Sequence, residues 1–446
     1  MKPGKALMTC YAVVLMSLNS LAQNTPMTLK QCVDTAIANN LDVIRKDLQS
    51  QRERITLKQN RDNIIPTLGA NIDHTAYQGR SIDPVTNSYV QQSYTSAGYS
   101  AGTDVTLFNG FRLINNIKSA QFAWEASRME LQQQKDQLML DVILAYLDIL
   151  TNEDLVEQSQ KQLEVSRKQV ERLDIMNKEG AIKPSDLFDL KGQYSDNKIA
   201  LITNQNNLNR SKLALAQLMN KPYSADLTVE KLTAEQFAKD YAGTADGIYA
   251  VALEQMAIVK AADLRVKSAE KNVKATRGGL FPTVGFGAGI NTNFSSLGRD
   301  ANNVKLAYYD QLSNNYRTNF GVGISIPILN NFRVRNNLAL AKIDLKDFNV
   351  LTQTMRIQLK QNIERDHLNM EASLNKYNAL LEQVASYAES FRVAEVRFNE
   401  GASTSVDYVI AKNNLDRANI NLIIARYDYV LRTKILDYYQ GKMLYQ

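Results

Sequence analysis

Leu107-Phe108-Asn109-Gly110-Phe111-Arg112 returns, at an offset of 221, as Ile328-Leu329-Asn330-Asn331-Phe332-Arg333. Each copy opens a long span, 111–179 and 332–400, that holds neither glycine nor proline. Such spans read as helices, and at about 1.5 Å per residue each is roughly 100 Å long, far beyond the width of a globular domain. Val142, Ile149, Val156, Leu163 and Val170 recur with a heptad period, as do Ile363, Met370, Tyr377, Val384, Phe391 and Phe398. These are coiled-coil seams. Both spans close on the same turn, Glu179-Gly180-Ala181 and Glu400-Gly401-Ala402, again at an offset of 221.

The duplication extends upstream. Ile65-Pro66-Thr67-Leu68-Gly69 recurs as Phe281-Pro282-Thr283-Val284-Gly285 with an offset of 216, so the second copy carries about five more residues between Pro282 and Leu329, where a loop absorbs them. Four shorter helices are predicted beside the long ones, over 29–64, 185–220, 248–276 and 404–440. Their summed lengths predict that two short helices stack end to end along each long one. The segment 221–247, with Pro222, Gly243 and Gly247, joins the halves where the short helices meet.

Four segments alternate in character. Val284, Phe286, Ala288 and Ile290 alternate with Thr283, Gly285, Gly287 and Gly289, and Phe320, Val322, Ile324 and Ile326 with Asn319, Gly321, Gly323 and Ser325. In the first copy Ala97, Tyr99, Ala101, Val105 and Leu107 alternate with polar residues or glycine, and Leu68, Ala70 and Ile72 less strongly. Lengths of about 9 to 12 residues suit tilted transmembrane strands. One such segment alone fits a half-buried strand in a soluble sandwich better; four in an exported chain point to the membrane. Four strands cannot close a barrel of useful bore, and an open edge in lipid leaves backbone groups unsatisfied. Three copies give twelve strands, enough to enclose a channel, and twelve helical columns to continue it.

The first residues read as an address. Lys2 and Lys5, an apolar run from Ala6 to Leu18 and the small residues of Ser20-Leu21-Ala22 form a signal peptide over 1–22, cleaved after Ala22. Gln23 follows the cut, so no lipid anchor is indicated. No later stretch approaches the roughly 18 consecutive apolar residues of a transmembrane helix. The 20 glycines and 8 prolines in 446 residues exclude collagen and Pro-rich linkers, and Cys10 and Cys32 are too few for a disulfide framework. His74 and His367 have no partners at ligand spacing, so no metal or cofactor is expected. The net charge of +6 comes from scattered residues, and no nucleic-acid patch stands out. Walker, G-x-S-x-G and HExxH motifs are absent, so the chain is not read as an enzyme, and energy for transport must come from a partner.

The duplicated order of helix, strand pair, long helix and helix resembles the TolC family of outer membrane efflux channels. So does the tip motif Arg397-Phe398-Asn399-Glu400-Gly401 with Val406-Asp407-Tyr408, and its weaker copy Glu179-Gly180 with Asp186-Leu187. The resemblance implies a mixed α/β membrane protein: a homotrimer with a 12-stranded β-barrel in the outer membrane of a Gram-negative bacterium and a coiled-coil helical tunnel in the periplasm. It also implies two partners, a periplasmic adaptor and an inner-membrane transporter of the proton-driven RND type. The organisation expected is a leader at 1–22, repeats at 23–220 and 248–446, and an equatorial linker at 221–247.

At the tips, Gly180-Ala181 and Gly401-Ala402 are expected to turn the chain through positive φ and to meet the adaptor. Asp186 and Asp407 lie near the starts of returning helices, where a carboxylate complements the helix dipole. Capping accounts for them as readily as a gate; the resemblance favours a ring of six carboxylates at the tunnel end, with Arg397 as a latch residue. Met176-Asn177 in the first copy replaces Arg397-Phe398 of the second. Passive efflux of small molecules is the leading function. A duct for peptide or protein secretion shares the architecture, and a non-conducting coiled-coil stalk is the reading from another class.

Overall fold

The computed structural model describes residues 26–82, 87–91, 93–231 and 241–442. The leader, with Cys10 and the cleavage point, lies outside them. In chain order the elements are α1 (Leu29–Asn39), α2 (Leu41–Asp62), β1 (Thr67–Tyr77), β2 (Arg80–Ile82), β3 (Tyr89–Gln91), β4 (Tyr94–Phe108), α3 (Arg112–Lys178) and α4 (Pro184–Leu218). The second half gives α5 (Ala245–Gln255), α6 (Ala257–Gly278), β5 (Thr283–Ser295), α7 (Tyr308–Asn314), β6 (Arg317–Ser325), α8 (Arg333–Asn399) and α9 (Ser405–Tyr439). Helix lengths repeat between the copies: 11, 22, 67 and 35 residues in each.

Two expected helices are each broken in two. The stretch 29–64 divides at Asn40, whose backbone is extended (ψ 125°) and whose side chain accepts from the N–H groups of Asp42 and Val43. The stretch 248–276 divides at Met256, also extended (ψ 130°), and starts earlier, at Ala245, because the Thr244 hydroxyl accepts from Gly247 N–H. Asn40 and Met256 are related by the upstream offset of 216, as are the capping threonines Thr28 and Thr244, so the break is part of the duplicated design.

The chain forms two compact units. The first comprises residues to 47, 130–259 and 355–446. Its core is the middle of the long helices, where Val142, Ile149 and Ile363 are wholly buried and Met370 nearly so. Toward 163–170 and 377–398 the seam becomes half-buried. The described residues after α4 reach this core: Met27 and Val229 form a parallel bridge, and Tyr146 Oη donates to the Glu230 carbonyl at 2.7 Å. Tyr427, Tyr429 and Tyr438 pack into it, with Tyr427 Oη on Asp154 at 2.8 Å. They are packing residues of this core.

The second unit comprises 48–129 and 260–354. Its sheet is antiparallel throughout in the order β1-β4-β5-β6, with a small β2-β3 hairpin beside it. Cross-strand partners share a face. The rows Leu68–Thr103–Ala288–Phe320, Ala70–Ala101–Ile290–Thr318 and Val105–Phe286–Val322 therefore form one apolar face. Thr67–Asp104–Gly287–Gly321 and Gly69–Gly102–Gly289–Asn319 form the polar, glycine-rich one. The expected two-faced strands are all present, with one change: a bulge shifts the register between Thr106 and Phe108, so Phe108, not Leu107, stands opposite Val284. The connection between paired strands runs over 78–93 in the first copy and over the longer stretch 296–316 in the second, which accounts for the change of offset from 216 to 221. Helix α7, which no periodicity announced, lies in the longer one. Among the described residues, no helix is long and apolar enough to cross a membrane.

Candidate functional site: the two helix-hairpin tips

Two turns end the long helices. Gly180 and Gly401 have φ of +67° and +69°. Ala181 N–H reaches the Met176 carbonyl (2.9 Å) and Gly180 N–H that of Asn177 (3.1 Å); Ala402 and Gly401 repeat this on Arg397 (2.8 Å) and Phe398 (3.1 Å). Both are Schellman closures, in which a residue without Cβ satisfies the last carbonyls of the helix. Space around either glycine is open, so only the backbone conformation calls for it.

The returning helices start differently. Pro184 occupies the first turn of α4, and its N-cap Lys183 makes no side-chain bond. Thr404 caps α9 through a reciprocal box: its hydroxyl accepts from Asp407 N–H (3.2 Å), and Asp407 Oδ2 accepts from Thr404 N–H (3.2 Å) and its hydroxyl (2.9 Å). Asp407 is thus an exposed capping residue. Asp186, half-buried, accepts from Ser405 Oγ at 2.9 Å, and Asp189 shares that hydroxyl at 3.0 Å. The two aspartates that correspond in the repeats therefore hold unlike environments.

Between the hairpins a small core forms from Leu173, Leu187, Leu190 and Tyr408. Tyr408 packs on Phe398 and Phe391 with ring centroids 5.0 and 5.4 Å away. Phe398 is thus a packing residue of this core. Burial pushes the Tyr408 phenol up to about 12, against the pull of a hydrogen bond from Gln169. Arg172 donates to Asn399, a second link across the hairpins. Further along α9, Lys412 and Asp416 form a buried ion pair; burial lifts the Asp416 carboxyl and Lys412 pulls it back.

The sequence-predicted residues fall into two grooves. Asp186 lines one with Arg172, Met176, Phe398 and Thr404; Asp407 and Arg397 line the other with Glu389, Val393 and Ile410. Arg397 makes no ion pair among the described residues. Sequence reasoning missed Arg172, Asn399, Asp189 and Ser405, which join the hairpins. The i, i+3 spacing of Asp186 and Asp189 on one helix face was the available signal.

The model of the family described as outer membrane efflux protein matches residues 32–221 and 248–438, once in each repeat. The chain belongs to this family. It is an outer membrane efflux duct built from an internal duplication. Outer membrane protein TolC of Escherichia coli K12 is 22% identical over 378 residues, covering 84% of this chain and 74% of the relative. Outer membrane efflux protein BepC of Brucella suis is 24% identical over 341 residues, covering 76% and 70%. Among solved structures, CusC superposes with a TM-score of 0.81 at 16% identity, covering 95% of this chain and 96% of that one.

Proposed function

We propose that three copies of this chain assemble into a closed duct that passes small molecules passively across the outer membrane. An adaptor from the periplasm meets the tips, and an inner-membrane transporter, of the proton-driven RND type, supplies the energy. TolC and BepC carry names of outer membrane and efflux proteins, which agrees with this. In this reading 23–220 and 248–446 are the working repeats and 221–247 is an equatorial belt.

One observation carries the trimer: both edge strands have an outer edge with no strand beside it, and the helices joined to them expose an apolar seam. Every residue of β1 and of β6 is exposed. Helix α2, which leads into β1, exposes Leu48 and Ile55; α8, which leaves β6, exposes Ile343 and Val350. Each pair is a heptad step. A strand edge and a helix seam on each side of the unit suit pairing of β1 and α2 of one copy with β6 and α8 of the next. Closure satisfies the backbone in lipid and leaves the glycine-rich face inside.

For the gate we assign Asp186, Asp407 and Arg397 to the narrow end, and Gly180, Ala181, Gly401 and Ala402 to adaptor contact. The cross-hairpin bonds of Ser405 and Arg172 hold the resting state, and the adaptor opens it by parting the hairpins. Planar-bilayer conductance tests this. Wild type passes small, cation-selective currents, and Asp186→Ala/Asp407→Ala loses the selectivity. Folded trimers that never conduct would return the chain to a structural stalk.

A further inference from the structure

The motif that opens each long span makes the same unusual turn twice. Gly110 and Phe111 have φ of +66° and +61°; Asn331 and Phe332 have +53° and +55°. Arg112 N–H bonds the Asn109 carbonyl (3.3 Å) and Arg333 N–H that of Asn330 (3.0 Å), the pattern of a type I′ turn. Glycine or asparagine suits the first central position. Gly110 is moreover pressed against Gly278, whose carbonyl oxygen a Cβ at 110 would strike. The second central position holds phenylalanine both times. A bulky residue at positive φ is a true outlier, and strain of this kind persists only where something compensates it.

Within one copy, burial does not compensate it. Phe111 and Phe332 are 62% and 56% exposed. Phe111 meets the edge of Phe108, which stands opposite Val284 on the apolar sheet face, so the aromatic surface continues that face just past the strand end. Just before the second turn, Ile328 and Leu329 are among the most exposed apolar residues of the described chain. Cations follow at once: Arg112, Arg333 and Arg335 are all exposed, none makes an ion pair among the described residues, and Arg335 lies 5.7 Å over the Phe332 ring. Aromatic rings flanked by unpaired arginines, at the end of an apolar strand band, match the level of a bilayer where acyl chains give way to headgroups.

We infer that the two turns are membrane-interface anchors: Phe111 and Phe332 seat in the inner leaflet, and Arg112, Arg333 and Arg335 bind the phosphates of anionic phospholipids. This rests on the channel reading, which makes the apolar sheet face the lipid-facing one. The local strain is then held by a surrounding that exists only in the membrane, and it fixes the height at which strand becomes long helix.

The test uses the full mature protein in a Trp124→Phe background, which removes the single tryptophan. Phe111→Trp, Phe332→Trp and Val322→Trp reporters are reconstituted into vesicles of phosphatidylcholine and phosphatidylglycerol carrying shallow acyl-chain bromines. Val322→Trp quenched by lipid establishes the spanning sheet; if it is not quenched, the channel reading itself fails. With that control positive, the anchor predicts strong bromine quenching at 111 and 332. Quenching there by aqueous iodide alone would overturn it. Arg112→Gln/Arg333→Gln/Arg335→Gln should lower several-fold the preference for phosphatidylglycerol vesicles over pure phosphatidylcholine, and an unchanged preference overturns the headgroup assignment. Phe111→Gly/Phe332→Gly relieves the backbone, so its thermal midpoint should hold or rise in micelles and fall in the vesicles. An equal fall in both media would make these ordinary packing residues.

Discussion

Placing an aspartate in each exposed helix seam, Ile55→Asp/Val350→Asp, should leave the protomer folded and abolish the trimer. Ile55 and Val350 are each 60% exposed, as Leu48 and Ile343 nearly are at 58% and 59%. Full burial of such a side chain is worth about 1.5–3 kcal/mol, so covering the exposed three-fifths contributes about 1–2 kcal/mol each, and about 4–7 kcal/mol for the four at one interface. Removing two of the four forfeits about 2–3.5 kcal/mol, about thirty- to four-hundredfold in association, before the added cost of desolvating two like charges. Within one protomer neither side chain is in the core, so folding loses little. Light scattering in detergent and native mass spectrometry read the outcome: folded monomers for the double variant, trimers for the parent. A double variant that stays trimeric with an unchanged thermal midpoint would refute the pairing of α2 with α8.

Gly180→Ala and Gly401→Ala should each cost about 1 kcal/mol and no more, since the surrounding space is open and only positive φ is penalised; thermal denaturation compares them with Gly110→Ala, where the collision with Gly278 makes the loss much larger. Lys412→Met should destabilise the tip by about 3–5 kcal/mol by leaving Asp416 buried and unpaired, whereas Lys412→Met/Asp416→Leu should recover most of the loss; protease nicking near the tips measures both. Tyr408, raised from 10 to about 12, is held neutral by the fold. Its contribution is complete below pH 10 and is lost as the unfolded phenol ionises toward pH 12. The thermal midpoint of Tyr408→Phe should therefore fall less over pH 10–12 than that of the parent, and parallel curves would count against the burial argument.

What the sequence disclosed and what it withheld divide along physical lines. Features that need one residue type at one place were legible: the glycines at 180 and 401 could be read as left-handed turns because no other residue adopts that backbone without penalty. Alternation in 283–290 and 319–326 gave the faces of the sheet because a strand has a period of two. The break at Asn40 was hidden because asparagine also stands inside unbroken helices of this chain, at Asn115, Asn116 and Asn197, and at Met256 nothing local marks it; only its offset of 216 from Asn40 does. Helix α7 escaped because so short a helix, barely two turns, shows no period. The residues proposed for the gate were half visible. Asp407 could be placed at a helix start, but its commitment to Thr404, against the commitment of Asp186 to Ser405, depends on which hairpin lies beside which, and spacing along one helix carries no such information.

The two tip turns have the same backbone and different chemistry. A cap with a reciprocal Thr404–Asp407 box stands at one, a bare Lys183-Pro184 start at the other, and the long helices feeding them are equal in length to the residue. Arranged around a threefold axis, such tips are sixfold in outline and threefold in side chains. A partner that senses only shape could bind six times with one affinity, whereas one that senses charge would show two classes of site in equal number. Stoichiometry, counted in a titration, thus distinguishes recognition of form from recognition of residues.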